Sequence, residues 1–267
     1  AEALLQRGKD AEALSAAEEG LKACPEDYRM RLIDGQALAT MNRQEEALKR
    51  FDSALDVRPD GLDALLARGD MLLELRQAKK AVACYAKVLS KQPERFHALH
   101  MRAVGFTALG LHKEALPLYK KAAELRPDSE RALVDLGVCL TIMEQYEDAL
   151  GVFDCVLKVD AESYHALCEK GVVLSKLRRD EEAVKCFDRA LAVEPGSYRP
   201  YLKRGLSLAK LERHEEAVES FSRALDVRPK RYRALVARGT SLAKLQRFDE
   251  ALRDLDRALA ARPQGFR

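Results

Sequence analysis

The feature that most constrains this 267-residue chain is a 34-residue spacing between prolines. Seven of the nine prolines are separated from one another by 34 residues or a multiple of it, and Ala161 fills the one gap in the series. The members of the series are Pro25, Pro59, Pro93, Pro127, Pro195, Pro229 and Pro263. A fixed period of this length indicates a repeat architecture in which each repeat is one supersecondary unit.

Three further positions follow the same period. One of them is always alanine: Ala13, Ala47, Ala81, Ala115, Ala149, Ala183, Ala217 and Ala251. Four residues later there is usually an aromatic residue: Phe51, Tyr85, Tyr119, Phe153, Phe187 and Phe221. Twelve residues before the alanine there is a small residue: Gly35, Gly69, Ala103, Gly137, Gly171, Gly205 and Gly239. Small residues at fixed places predict close contacts between helices.

Each repeat contains two apolar stripes with helical spacing. In the last repeat, Leu235, Gly239 and Leu242 form one stripe, and Ala251 and Leu255 belong to the second. The short polar connection between them is typical of antiparallel helices. Proline ends the second helix because it lacks an amide donor and disfavours helical geometry just before it. The sequence therefore predicts an all-α fold of stacked helix pairs.

This pattern resembles the tetratricopeptide repeat (TPR), which runs W-x2-L-G-x2-Y, then A-x3-F, then P. Leucine mostly replaces the tryptophan, and the next leucine is often basic, as in Arg68, Arg102 and Arg238. The resemblance implies an α-α superhelix, a TPR solenoid that forms one continuous domain. The predicted units are a partial repeat at 1–27, with the end of a first helix and a second helix, and seven full repeats at 28–61, 62–95, 96–129, 130–163, 164–197, 198–231 and 232–265.

Composition indicates in which cellular compartment the protein is expected. Apolar residues make up 47% of the chain and charged residues 33%, and no run approaches the roughly 20 apolar residues that a membrane-spanning helix needs. The first residues lack the pattern of a signal peptide and already look like the inside of a helix. The six cysteines contain no CxxC pair, so we expect reduced, mostly buried thiols in a cytoplasmic protein without membrane insertion.

Candidate catalytic and metal-binding groups have simpler explanations. His97 with His100, and His165 with Cys168, each share one helical face. Their helices lie two repeats, on the order of 20 Å, apart, so the two pairs cannot form one mononuclear metal site. No Walker loop, GxGxxG, GxSxG or HExxH motif is present. The sequence predicts no enzyme, metal, cofactor or small-molecule substrate.

The resemblance to the TPR family also assigns a groove, because positions 2, 5, 6, 9, 12 and 13 of each first helix face it in that family. Residues 198–265 contain sixteen Lys or Arg and nine Asp or Glu, a net charge of +7, while the whole chain has +3. The predicted groove residues combine apolar and basic side chains: Arg131, Val134, Val138, His165, Val172, Lys176, Arg199, Leu202, Lys203, Leu206, Lys210, Arg233, Val236 and Lys244. They predict an acidic protein or peptide partner; the alternative is a merely solvated basic surface.

The leading interpretation is a non-catalytic scaffold or adaptor that binds a partner segment in the concave groove. One alternative is the substrate-docking or regulatory arm of a larger enzyme, and another is a scaffold that self-assembles by end-to-end stacking. Asn42 is the only asparagine, so neither the carboxylate clamp of chaperone-binding TPR proteins nor the asparagine ladder of TPR sugar transferases is expected. Nucleic acid is a less favoured partner, since no reading motif accompanies the basic residues.

Overall fold

The computed structural model describes residues 1–261. Within this range the chain forms sixteen α-helices and no strand. The helices are α1 (Glu2–Gln6), α2 (Asp10–Ala23), α3 (Tyr28–Thr40), α4 (Gln44–Val57), α5 (Leu62–Glu74), α6 (Ala78–Lys91), α7 (Phe96–Ala108), α8 (His112–Leu125), α9 (Glu130–Ile142), α10 (Tyr146–Val159), α11 (Tyr164–Lys176), α12 (Asp180–Val193), α13 (Tyr198–Lys210), α14 (His214–Val227), α15 (Tyr232–Lys244) and α16 (Phe248–Ala261). Pro263 and the predicted end of the last repeat at 265 lie outside the described residues.

From α3 onward, helices of 13 and 14 residues alternate. The 13-residue helices begin 34 residues apart, at Tyr28, Leu62, Phe96, Glu130, Tyr164, Tyr198 and Tyr232. Each first helix packs against the second helix that follows it, as in α3 with α4 and α15 with α16. The predicted fold class, an all-α helical-repeat solenoid, is confirmed.

The chain divides into two compact units. The first unit runs from Ala1 to Ala132 and the second begins at Leu133, within α9. The first unit buries Phe51, Tyr85 and Tyr119 of the aromatic series, and the second buries Phe153, Phe187 and Phe221. The assignment of all repeats to one continuous domain stays a prediction.

The recurring aromatic ring occupies the space that the recurring glycine leaves. A Cβ atom added at Gly171 would lie 2.6 Å from Cε1 of Phe187, and one at Gly205 would lie 2.5 Å from Cε1 of Phe221. Both rings are almost fully buried, at 1% and 0% exposure, so neither can move away without opening the core. Phe187 and Phe221 therefore pack directly on the backbone of the first helix of their pair.

The turn inside each helix pair contains one residue with a left-handed backbone. These residues have φ between 57° and 75° and are again 34 positions apart: Gly8, Asn42, Arg76, Gly110, Glu144, Arg178, Glu212 and Gln246. For a residue with a side chain this conformation costs roughly 1 kcal/mol or more. Because Arg, Glu and Gln accept it here, the packing of the two joined helices imposes the shape of the turn.

Acidic residues lie in the first turn of most second helices. Glu45 and Glu46 begin α4, and Glu215 and Glu216 begin α14. Negative charge is favourable there, close to the positive end of the helix dipole. Arg43 also donates two hydrogen bonds to Glu46, from Nε and Nη2, each of 2.7 Å. These carboxylates therefore support helix starts.

Two of the three basic residues that depart from the TPR pattern join helices by ion pairs, and the third, Arg102, lies over the Phe106 ring. Arg68 on α5 reaches back to Asp52 on α4, with Nε and Oδ1 2.5 Å apart. Arg238 on α15 reaches forward to Asp254 on α16 and donates from Nε and Nη2 at 2.6 and 2.8 Å. Arg68 and Arg238 thus connect neighbouring helices at the place where leucine would pack in the family pattern.

None of the helices in residues 1–261 has both the length and the apolar character that crossing a membrane requires.

We expect Gly171→Ala to lower the free energy of unfolding by about 1–3 kcal/mol, because the added methyl group overlaps the buried Phe187 ring. Gly151→Ala is the matched control, since Gly151 lies inside α10 with open space around its Cα. That control should raise stability by up to about 1 kcal/mol through helix propensity. Urea denaturation measures both changes, and equal effects would contradict the close contact.

We expect Gly110→Ala to lower the free energy of unfolding by about 1 kcal/mol, because Gly110 has φ of 75° and alanine disfavours this region. Gly196→Ala is the control, since Gly196 lies in a connection with open space around it and without a left-handed φ. It should be neutral or stabilising by up to about 1 kcal/mol. Denaturation midpoints that move together in the two variants would show that backbone conformation is not the cause.

Candidate partner-binding groove

The second unit contains a groove with a cavity volume of about 780 Å³. Residues of the first helices α11, α13 and α15 form much of its wall, with apolar and cationic side chains next to one another. Eight of the residues predicted from the sequence line it: Val172, Lys176, Lys203, Leu206, Lys210, Arg233, Val236 and Lys244. We call this cavity the second-unit groove.

The other six predicted residues do not line this cavity. They are Arg131, Val134 and Val138 on α9, His165 on α11, and Arg199 and Leu202 on α13. His165 is exposed, and its ring lies edge-on to the Tyr164 ring with centroids 5.4 Å apart. Leu202 is only 5% exposed and belongs to the hydrophobic core of the second unit. Leu202 therefore contributes to helix packing at this place and not to an open groove surface.

Two of the predicted cations are neutralised inside the protein. Arg199 Nη1 lies 2.5 Å from Oε1 of Glu169 on the preceding first helix. Lys210 Nζ lies 3.3 Å from Oδ1 of the buried Asp180 and donates a hydrogen bond of 2.7 Å to Oγ of Ser175. The positive charges of Arg199 and Lys210 are therefore largely compensated by carboxylates of the protein itself.

Four other cations line the second-unit groove without a carboxylate partner within residues 1–261: Lys176, Lys203, Arg233 and Lys244. Lys176 lies over the Tyr146 ring, with Nζ 5.7 Å from the ring centroid. This contact leaves the charge of Lys176 in place, since an aromatic ring carries no net charge. The groove thus presents four positive charges beside its apolar wall.

The ammonium group of Lys203 is partly buried and lies near other positive charges. Burial lowers the pKa of its ammonium group, and the positive charges of Arg233, Arg199 and Lys176 lower the pKa further. The nearby Glu169 opposes these effects but already contacts Arg199. A protonated Lys203 is therefore crowded by like charge, and an anion bound beside it would relieve the repulsion.

Some groove residues are missing from the sequence prediction. Glu212 and His214 line the cavity from the turn and the start of α14, and His214 Nε2 lies 3.0 Å from Oε2 of Glu212. Thr240 lies 34 residues after Leu206 and also lines the cavity. The repeat register could have indicated Thr240, whereas the groove positions of the family do not include Glu212 and His214.

The first unit has a cavity of about 600 Å³ with a different charge pattern. Arg95 Nη2 lies 3.0 Å from Oδ1 of Asp63, and His97 Nε2 lies 2.9 Å from Oδ2 of Asp70. All four of these residues line the cavity. Two cations of this wall are therefore paired with carboxylates of the same wall, whereas Arg58 lies over the Tyr28 ring.

His100 and the four buried cysteines have surroundings that suit structural roles. His100 is buried and stacks on Phe96, with ring centroids 5.9 Å apart. Four cysteines are buried, two are exposed, and all six are free thiols. Burial raises the pKa of Cys168 to about 11, so its thiol stays protonated at neutral pH. Over residues 1–261, no group of three or more His, Cys, Asp or Glu residues could hold a metal ion.

We expect Lys203 to titrate below the ordinary range of a lysine, and Arg233→Gln to raise the pKa of Lys203 by removing a repelling charge. The unfolded state then binds more protons than the native state between the two pKa values, so stability rises with pH in that window. NMR titration of labelled lysine side chains measures the pKa. Lys230→Gln removes an equal charge from an exposed connection and should leave Lys203 unchanged. An ordinary pKa for Lys203 would contradict this electrostatic description.

Comparisons with known proteins agree with the repeat architecture. Sequence models of the tetratricopeptide repeat match residues 34–96, 164–197 and 202–266, and a model of the Psidin N-terminal TPR repeat region matches residues 71–169. No curated protein sequence matches this chain significantly. The matched ranges together extend from residue 34 to residue 266 with a gap only at 198–201.

Several solved structures share the fold at low sequence identity. A tetratricopeptide repeat protein from Parabacteroides merdae is 17% identical, with a TM-score of 0.68 over 90% of this chain and 95% of that chain. Cut9–Hcn1, a hetero-tetramer of the APC/C, is 18% identical, with a TM-score of 0.68 over 99% of this chain and 52% of that chain. YrrB, a TPR protein with an unusual peptide-binding site, is 22% identical, with a TM-score of 0.52 over 84% of this chain and 97% of that chain.

The family models and the 34-residue succession of helix pairs lead to the same conclusion. This chain belongs to the tetratricopeptide repeat family.

Proposed function

We propose that this protein is a non-catalytic scaffold that binds an acidic, partly apolar segment of a partner protein in the second-unit groove. The observation that carries the proposal is the set of four groove cations, Lys176, Lys203, Arg233 and Lys244, that form no ion pair with a carboxylate within residues 1–261. The family supports it as well, since YrrB is a TPR protein with a peptide-binding site. A segment of protein is the ligand that fits a groove built from successive helices.

The groove can contribute both apolar burial and electrostatic attraction to the binding of such a segment. Val172, Leu206 and Val236 are partly exposed in it and can bury apolar side chains of a partner. The unpaired cations attract acidic segments from solution and accelerate their association. An acidic segment without apolar residues would gain only the electrostatic attraction. An apolar segment without carboxylates would remove water from the cations and leave them without a partner of opposite charge.

A peptide fits the groove better than the other ligand classes. The buried thiols, the ion-paired carboxylates and the stacked histidines form no arrangement of nucleophile, base and oxyanion donor among the described residues. Of the three aromatic residues that line the groove, Phe187 and Phe221 are buried and only Tyr232 is partly exposed. Single-stranded nucleic acid is bound by several exposed aromatic rings on which successive bases stack. The docking arm of an enzyme, self-assembly and the cytoplasmic location stay predictions from the sequence.

We expect the double variant Lys176→Ala with Lys244→Ala to weaken binding of an acidic peptide about tenfold, because each partly exposed ion pair contributes up to roughly 1 kcal/mol. The probe is a short fluorescein-labelled peptide with glutamates spaced among leucines and alanines, blocked at both ends. Fluorescence anisotropy measures its affinity at several salt concentrations. The salt dependence should also decrease in the variant.

The control is the double variant Lys158→Ala with Lys230→Ala, which removes the same charge from exposed residues that do not line the groove. It should leave the affinity nearly unchanged. Equal weakening by both double variants would show nonspecific attraction to a basic chain. Failure of the native protein to bind the peptide more tightly than a glutamine-substituted version would overturn the proposed function.

A further inference from the structure

The ion pair between Arg199 and Glu169 has an equivalent one repeat later in which a base replaces the acid. Glu169 lies on α11 and Arg199 lies near the start of α13, with their charged atoms 2.5 Å apart. The residues 34 positions further along are Lys203 on α13 and Arg233 near the start of α15. Because these helices repeat with the same period, Arg233 has the same register relative to Lys203 that Arg199 has to Glu169.

Three observations show that this second pair is an open cationic site. Both Lys203 and Arg233 line the second-unit groove. Neither forms an ion pair with a carboxylate in the described part of the chain. Burial lowers the pKa of Lys203, and Arg233 is the charged residue with the largest further lowering effect, which indicates that the two cations lie close enough to repel one another.

We propose, building on the proposed function, that Lys203 and Arg233 form a subsite for a side-chain carboxylate of the partner segment. This carboxylate takes the place beside Arg233 that Glu169 has beside Arg199. The protein thus leaves one member of a repeated ion pair to be supplied by its ligand. Binding removes the repulsion between Lys203 and Arg233 and supplies a charge-assisted hydrogen bond.

Apolar side chains next to Lys203 and Arg233 indicate what should accompany the carboxylate in the partner segment. Leu206 and Val236 lie one helical turn after Lys203 and Arg233 respectively, and both line the same groove. A partner segment that places a glutamate or aspartate between the two cations therefore brings an adjacent apolar side chain against Leu206 and Val236. The recognised element is a carboxylate next to an apolar residue.

One carboxylate group is the partner that the preceding repeat provides for the arginine equivalent to Arg233. In the preceding repeat, the side chain of Glu169 is sufficient to pair with Arg199. The groove also contains Glu212, which lies beside His214 and opposes the entry of a more highly charged anion. We therefore assign the subsite to Asp or Glu side chains of a protein.

The decisive variant is Lys203→Glu, which recreates next to Arg233 the ion pair that Glu169 makes with Arg199. We expect the melting temperature to rise by roughly 2–4 °C, because an internal repulsion becomes an attraction. We expect the affinity for the glutamate-containing peptide to fall at least about tenfold, since the subsite is now occupied by the protein's own carboxylate. Lost binding in a stabilised protein cannot result from unfolding.

Two controls separate the subsite from general charge effects. Lys230→Glu makes the same charge reversal on an exposed residue outside the groove and should change neither the melting temperature nor the affinity by a comparable amount. Glu169→Lys places a second cation beside Arg199 and should lower the melting temperature. In the peptide, replacement of glutamate by glutamine should weaken binding to the native protein by a larger factor than binding to Lys203→Glu, in which Lys176 and Lys244 alone still attract the glutamates.

The failure of this inference is distinguishable from failure of the proposed function. If the native protein binds the peptide, and Lys203→Glu binds it with unchanged affinity, the subsite is overturned while groove binding by the other cations stands. The same conclusion follows if the glutamine-substituted peptide loses equal affinity for the native protein and for Lys203→Glu. If the native protein does not distinguish the glutamate and glutamine peptides, both proposals are overturned.

Discussion

The structure depends on the contact between an aromatic ring of the second helix and a glycine of the first helix, which recurs in five of the helix pairs within residues 1–261. At Gly35, Gly69 and Gly171 an added Cβ atom would lie within 2.7 Å of the partner ring. This contact holds the two helices of a pair at one separation, so the pairs that have it share a common internal geometry. Side chains at equal positions of different repeats then occur in equivalent places, which is why a 34-residue comparison has structural meaning.

The tight pairing has a cost in the short turns that join the helices. Arg76, Glu144 and Arg178 adopt a backbone conformation that residues with side chains avoid. The turn is left-handed in all eight helix pairs of the described range, although only two of the eight turn residues are glycine. Apolar packing therefore determines the turn, and local preference yields to it.

Periodicity predicted helix positions well because one buried stripe per helix leaves little freedom of register. Charge partners could not be predicted in the same way. Whether Lys210 is free depends on the place of Asp180 on another helix, and nothing in the spacing of Lys176, Lys210 and Lys244 distinguishes the three lysines. Leu202 was assigned to the groove by its position in the family, yet it lies in the core, because its exposure depends on the side chains of neighbouring helices.

The pairing of Glu169 with Arg199 also bears on how such a groove can change over time. Glutamate and lysine codons differ in their first base, so one point mutation can convert this internal ion pair into two adjacent cations like Lys203 and Arg233. The aromatic contacts that hold the helices are untouched by that mutation. New ligand preferences can therefore arise one repeat at a time while the helix packing stays the same. A reverse mutation restores the internal ion pair and removes the new preference.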